Sequence, residues 1–257
     1  MAKERLQKIL AHAGVASRRK IEEMINMGLI SVNGKTITKQ GTVADADVDN
    51  IMCNGEHIGT AQDILSERTY LLMNKPYGVL STTKDNTGRR TVTDLVKCIS
   101  ETRIYPIGRL DYDAEGALLL TNDGALTNKL IHPKYHVEKI YEVKIKGLPT
   151  GEQLDKLRRG IYLEDGPTGP CKIKFIKRAK INTWVRVILT QGKNRQIKKM
   201  FWRIKHPVLK IIRTHFAGIY LADLKPGEFR NLTKKELGTL KNLSSISKVG
   251  QVNRGRK

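Results

Sequence analysis

From Gly166 to Ala222 the sequence contains no aspartate and no glutamate, against fourteen Lys or Arg in the same stretch. A solvated protein face normally mixes its signs, so a long run of one sign points to a polyanionic partner, with a phosphate backbone as first candidate. Cysteine is also scarce. Cys53, Cys98 and Cys171 are odd in number, far apart and never arranged as CxxC, which argues against a disulfide framework or a zinc knuckle. They read as structural thiols in a reducing, cytoplasmic setting. No apolar run approaches the roughly 20 residues of a membrane span, no cationic amphipathic helix stands out, and the N-terminus has no apolar signal-peptide core. No membrane partner is expected. Internal repeats are absent as well.

What the chain has in quantity is positive charge, a formal +22 over 257 residues with 39% hydrophobic content. The charge is uneven. Residues 1–58 carry eight Lys or Arg against seven Asp or Glu, a net +1, so +21 lies beyond residue 58. Leu6, Ile9, Leu10 and Ala13 recur at helical spacing until Gly14. Ser17 is placed to cap a second helix carrying Ile21, Met24 and Ile25 on its inner face. Arg18, Arg19 and Lys20 fall in the first turn of that helix, the unfavourable end of its dipole, and a nucleic-acid phosphate would offset this. Asn33-Gly34 and Asn54-Gly55 predict two hairpins with type I′ turns. The polar stretch 59–68 reads as a linker.

Beyond it, the sequence predicts a strand at Thr69–Met73, a turn over Asn74–Gly78, a resumed strand at Val79–Thr82, a mobile loop over Thr83–Thr91 and a short helix at Thr93–Ile99. Further strands are expected at Ala117–Thr121, Lys139–Ile145, Cys171–Ile176, Trp184–Leu189 and Gly218–Leu221. Helices are expected at Ala125–Ile131, Thr150–Arg159, Gln196–Lys205 and Lys234–Leu243. From Ser244 the chain reads as a basic, disordered tail. Strands and helices intermix without a βαβ rhythm, which predicts an α+β fold with a mixed or antiparallel central sheet. The domain plan is 1–58, a linker at 59–68, a second domain at 69–243 and a tail at 244–257.

The most unusual stretch is Gly108-Arg109-Leu110-Asp111-Tyr112-Asp113-Ala114-Glu115-Gly116, three carboxylates in a basic chain. Taken alone it allows three readings: a reactive carboxylate, a hard-metal site, or a structural turn. The calcium-loop pattern is absent, and His132 and His136 are separated by Pro133, so no zinc pair is expected.

Residues 5–34, with Arg5–Leu10, Gly14–Arg19 and Val32-Asn33-Gly34, resemble the alpha-L RNA-binding motif of ribosomal small-subunit protein four. Residues 108–124, together with Asn74-Lys75-Pro76-x-Gly78, Lys139-Ile140-Tyr141 and Gly192–Met200, resemble the ribosomal RNA pseudouridine synthases of the RsuA/RluB family. The resemblance implies a small N-terminal RNA-binding domain and a catalytic domain that isomerises uridine to pseudouridine without cofactor or metal. It implies Asp111 as nucleophile, Lys198 as the cation that keeps it ionised, and Tyr141 against the flipped base as a stacking ring or proton shuttle. Ile197 would wall the base. Arg109 would hold phosphate or fill the gap left by the flipped nucleotide, and Arg195, Arg18, Arg19 and Lys20 would contact RNA. Asp113 and Glu115 are left as turn-builders. The phrasing of residues 4–34 favours the 23S, large-subunit branch, with 16S RNA as the alternative substrate, and a monomer is expected. Rival classes are a non-catalytic RNA-binding assembly factor and a metal-dependent nuclease using the three carboxylates.

Overall fold

The computed structural model describes residues 3–58, 68–97 and 103–246. The chain divides into two compact units, one holding the residues up to Thr69 together with Asn122–Gly124, the other most of the remainder.

In the first unit, α1 (Leu6–His12) and α2 (Arg18–Asn26) follow the apolar spacing. The Ser17 hydroxyl accepts from the Lys20 backbone N–H at 3.2 Å, satisfying one of the unpaired donors at the start of α2. β1 (Glu4–Arg5) pairs with β4 (Val43–Ala44), while β2 (Ile30–Val32), β3 (Lys35–Ile37), β5 (Ile51–Cys53) and β6 (Glu56–His57) form a sheet in the order β3-β2-β5-β6. Both Asn-Gly pairs adopt positive φ, 51° and 74° at Asn33-Gly34 and 51° and 81° at Asn54-Gly55. These are the values a type I′ hairpin needs. Leu6, Leu10, Ile21, Ile25, Ile30 and Ile51 interlock as the core. Truncating one of them to alanine would cost about 2–5 kcal/mol.

The second unit is built on a mixed sheet. Its strands are β7 (Tyr70–Lys75), β8 (Tyr105–Pro106), β9 (Glu115–Thr121) and β10 (Lys139–Lys146). A small separate hairpin, β11 (Tyr162–Leu163) with β12 (Gly166–Pro167), precedes β13 (Lys172–Ala179), β14 (Asn182–Leu189), β15 (Val208–Phe216), β16 (Ile219–Tyr220) and β17 (Phe229–Asn231). The order is β13-β14-β10-β15-β9-β7-β17, with β16 beside β15 and β8 beside β9. Within this sheet β15 and β9 run parallel and the other pairs antiparallel. At the parallel step Arg213 lies opposite Gly116. A Cβ at Gly116 would sit 2.3 Å from the Arg213 carbonyl oxygen, and its φ is +110°. Only glycine allows the two backbones to approach this closely.

β9 is buried from Gly116 through Thr121, as its continuous apolar run requires of a central strand covered on both faces. Leu126 and Leu130 of α3 (Gly124–Ile131) and Leu240 of α6 (Lys234–Ile246) belong to the cluster that covers it. α4 (Gly151–Arg159) opens with a capping box, in which the Thr150 hydroxyl accepts from the Gln153 N–H and the Gln153 side-chain Oε1 accepts from the Thr150 N–H. α5 (Gln196–Arg203) follows β14.

Several expectations are corrected. Asn74 and Lys75 do not turn but complete β7, and the turn begins at Pro76. Val79–Thr82 forms no strand and contributes one isolated bridge, Leu80 to Thr91. Residues 92–97 are turns rather than a helix. There Asp94 accepts from the Thr91 N–H and hydroxyl at 2.9 and 2.8 Å, and the backbone bonds run three residues back, from Asp94 to Thr91 and from Val96 to Thr93, as in successive turns. The loop Thr83–Thr91 is closed on itself by Asp85, which accepts two side-chain bonds from Arg89 and one from Thr87. The nine-residue strand β15 was not expected. α6 continues to Ile246, past the expected tail boundary at Ser244. The rest of the tail, most of the linker and Cys98 lie outside the described residues.

Candidate active site

Asp111 and Asp113 sit in the loop that enters β9, and Glu115 is the strand's first residue. Lys75 lies beneath that loop, 0% exposed. Its Nζ donates to the carbonyls of Pro76 at 3.0 Å, Tyr112 at 3.3 Å and Ala114 at 2.8 Å. Burial depresses its pKa to about 8, although Asp113, Glu115 and Asp111 pull the other way. On the other side, the Ser81 hydroxyl bridges both backbone groups of Leu110, accepting from its N–H at 3.1 Å and donating to its carbonyl at 2.9 Å. The backbone is thus anchored on each side of Asp111, and its carboxylate is aimed by neighbours that cannot easily shift.

Asp111 lines a pocket of about 220 Å³ together with Arg109, Tyr141, Arg195, Ile197 and Lys198. Six residues singled out from the sequence therefore meet in one cavity. Tyr141 is half-buried on β10, opposite Val187 and Arg213. The register between β10 and β15 shifts between Ile140 and Tyr141, an irregularity that can re-aim a side chain. Ile197 is 6% exposed and forms an apolar wall. Arg18, Arg19 and Lys20 are exposed in the first unit, where Lys20 is paired with Glu23 at 2.9 Å.

The cation arrangement differs from expectation. Lys198 Nζ is 3.7 Å from Asp111 Oδ2, but its shorter contact is to Asp113 Oδ1. Burial would raise the Asp113 pKa, yet the hydrogen bond and charge of Lys198, with Arg195 behind it, hold it below the usual carboxylate range. Asp113 lies within the turn closed by the Ala114 N–H to the Asp111 carbonyl at 3.1 Å, and it is in addition a charged partner that shares the lysine. Glu115 is the first residue of β9 and pairs across to Lys210 on β15 at 3.0 Å. The carboxylates of Asp111 and Asp113 are one-third or more exposed, so these ion pairs add at most about 1 kcal/mol of stability. Their effect is on position and charge.

Four further groups, not assigned roles from the sequence, face the same space. Arg213 on β15 is 2% exposed; its Nε donates to the Ala117 carbonyl at 2.7 Å, and its guanidinium lies 4.6 Å from the Phe216 ring centroid. Its Nη2 and the Nε2 of Gln191 are buried donors with no partner among the described residues. Lys139 donates to the Val137 carbonyl, and burial, with Arg213 adding to it, lowers its pKa to about 8. Unpaired buried donors are rare enough to need a reason, and here they border the cavity. Among the described residues no group of three or more His, Cys, Asp or Glu is arranged to hold a metal ion.

Residues 69–202 match the family described as RNA pseudouridylate synthase, and residues 4–48 match the S4 domain. The chain belongs to the RNA pseudouridylate synthase family. This synthase is 46% identical to the ribosomal large subunit pseudouridine synthase B of Bacillus subtilis (strain 168), over 95% of this chain and 98% of that one. It is 34% identical to an uncharacterized RNA pseudouridine synthase of Aquifex aeolicus (strain VF5), over 93% and 94%. A solved pseudouridylate synthase structure superposes with a TM-score of 0.63 at 26% identity, covering 92% of this chain and 99% of that one. The fold is that of a pseudouridine synthase, an isomerase, preceded by an S4 domain, as the sequence implied.

Proposed function

We propose that this synthase converts a uridine of large-subunit ribosomal RNA to pseudouridine, with Asp111 as the nucleophile. The observation that carries the assignment is the anchored Asp111 carboxylate facing a one-base pocket, with Lys198 shared between it and Asp113. The large-subunit substrate is supported by the name of the Bacillus subtilis relative. A target base must leave its stack to enter such a pocket, at a cost of a few kcal/mol, and the acid-free stretch 166–222 supplies cations for backbone phosphates that offset it.

The reaction exchanges the N1–C1′ bond of the nucleotide for a C5–C1′ bond. The proton that leaves carbon 5 is matched by one that joins nitrogen 1, so the exchange is balanced without any co-reactant. Asp111 assists cleavage of the glycosidic bond, Tyr141 packs against the detached uracil and is placed to handle the proton, and Ile197 limits how the base can tilt. The free donors of Gln191 and Arg213 are suited to the uracil carbonyl oxygens, which would give those buried groups their partners. The S4 domain, with Arg18 and Arg19 exposed, serves as a second RNA contact, and the protein works as a cytoplasmic monomer.

Asp111→Asn tests the assignment. The variant should retain RNA binding and form no pseudouridine; a variant that still isomerises uridine refutes Asp111 as nucleophile. Mapping pseudouridines in ribosomal RNA from a strain lacking the protein separates a large-subunit from a small-subunit target.

A further inference from the structure

Helix α5 carries a second feature one turn beyond Lys198. Trp202 is four residues on, hence on the same face and about 6 Å further along the axis. It is 69% exposed. A shallow hollow beside it is lined by Leu163 and Glu164 of the β11–β12 hairpin and by Arg195, Lys198, Lys199 and Arg203. Arg195 and Lys198 also line the catalytic pocket, so the two sites adjoin. Lone exposed apolar residues need no explanation, but this one combines a large flat ring, an apolar floor at Leu163 and a rim of four cations. Lys199 is engaged by Asp165 at 3.5 Å. Lys198 is shared by Asp111 and Asp113 and Glu164 shares the rim, but among the described residues no lysine or arginine lies over the indole, so its open face is available to a ligand.

We propose that Trp202 is a stacking platform for a second nucleobase of the RNA, within two nucleotides of the uridine that enters the catalytic pocket. The inference rests on the RNA-modifying reading of that pocket. A π-face bordered by cations is the arrangement that binds single-stranded nucleic acid, the ring taking the base and the cations the flanking phosphates. The separation of Lys198 and Trp202, about 6 Å, compares with about 3.4 Å per stacked step along a strand. A base held on Trp202 would keep the displaced strand from closing back over the flipped uridine.

Trp184 and Trp202 are the two tryptophans of the chain, so in a Trp184→Phe background the fluorescence reports Trp202 alone. The probes are decauridylate and an abasic ribose-phosphate decamer of equal charge. Decauridylate should quench Trp202 while the abasic decamer does not. Trp202→Ala should weaken decauridylate binding about 5- to 150-fold, the equivalent of one stacked base at about 1–3 kcal/mol, and leave the abasic decamer unaffected. Trp202→Phe should retain most of the affinity, and it keeps the test valid if the alanine variant melts early. Equal losses for both decamers, or no loss for either (as expected if the hollow serves a protein partner), overturn the platform. The Asp111→Asn result is independent. If Asp111→Asn abolishes isomerisation while Trp202→Ala shows no base-dependent loss, the enzyme stands and the platform falls. If wild-type protein forms no pseudouridine yet the base-dependent loss persists, the reverse holds.

Discussion

Lys75→Met replaces a fully buried ammonium with an apolar chain of similar length. The native amine is held at a pKa of about 8 rather than 10.5, so keeping it charged near neutrality costs roughly 3 kcal/mol. Methionine removes that cost but leaves the carbonyls of Pro76, Tyr112 and Ala114 without their donor, at about 1–3 kcal/mol each. The two effects oppose each other, so the variant should fold with a net loss of about 0–6 kcal/mol. Because Tyr112 and Ala114 lie in the loop that carries Asp111, kcat should fall more than ordinary destabilisation explains. The sharper signature is in pH. A lysine whose folded pKa is depressed sheds its proton first in the folded state, so folding stability rises with pH above about 8. Between pH 7 and 9 Lys75 should add about 1.3 kcal/mol. Lys139, also at about 8, should add as much, while Cys171, pushed up to about 11 by burial, should subtract about 0.4 kcal/mol over the same range. Urea unfolding followed through Trp184 and Trp202 reports the second unit. Lys75→Met should show about two-fifths of the wild-type rise in stability, and Lys75→Met with Lys139→Met a slight fall of about 0.4 kcal/mol, left by Cys171. A single variant whose stability climbs as steeply as wild type refutes the buried, charge-strained amine.

Gly116→Ala should prevent the parallel step from closing, because its Cβ would meet Arg213 backbone atoms at 2.3 to 2.9 Å; a loss exceeding about 3 kcal/mol in denaturant titration is expected, and a near-neutral result would refute the tight approach. Asp113→Asn should disturb the placement of Lys198 and lower kcat about tenfold with RNA affinity nearly unchanged, whereas Lys198→Met, which strips both carboxylates of this cation, should cost about 100-fold or more; an Asp113→Asn variant with unchanged kcat would refute the shared lysine. Gln191→Leu should raise KM for RNA about 5- to 20-fold, the worth of one hydrogen bond to the base, and stabilise the free protein slightly by removing an unpaired donor; an unchanged KM detaches Gln191 from base recognition. A metal-dependent nuclease predicts loss of activity with chelator and shortened RNA, against pseudouridine formation that is indifferent to chelator and RNA of unchanged length.

The sequence exposed the features whose signals are local. Ser17 announces its helix, each Asn-Gly pair its turn, and Ala117–Leu120 a strand buried on both faces. The pocket was legible through motifs hundreds of ångströms of extended chain apart, since Asp111, Tyr141, Ile197 and Lys198 each stood in a recognisable phrase. What escaped notice were charged residues used against type. Lys75 reads as part of a turn because Pro76 and Gly78 break a strand ladder, yet it ends an interior strand. β15 was hidden because Lys210, Arg213 and His215 interrupt its apolar pattern, and Arg213 is turned inward to the pocket. The contact between Asp113 and Lys198 spans 85 residues, and no local pattern encodes which of two neighbouring carboxylates a distant lysine will favour.

The parallel step between β9 and β15 also sets a clock. Arg213 reaches the Ala117 carbonyl across 96 residues of chain, and a ribosome adding about 5–20 residues per second needs about 5–20 s to bridge that interval. Throughout it, β9 can pair with β7 along one edge and with β8 at Leu120–Thr121 on the other, but the Glu115–Gly116 end of that second edge waits for a strand that does not yet exist. An apolar edge left open is an invitation to mispair. The nascent chain therefore passes through a vulnerable stage whose length is fixed by topology. Until β15 is laid down, the cavity that Asp111 lines lacks Arg213 from its wall.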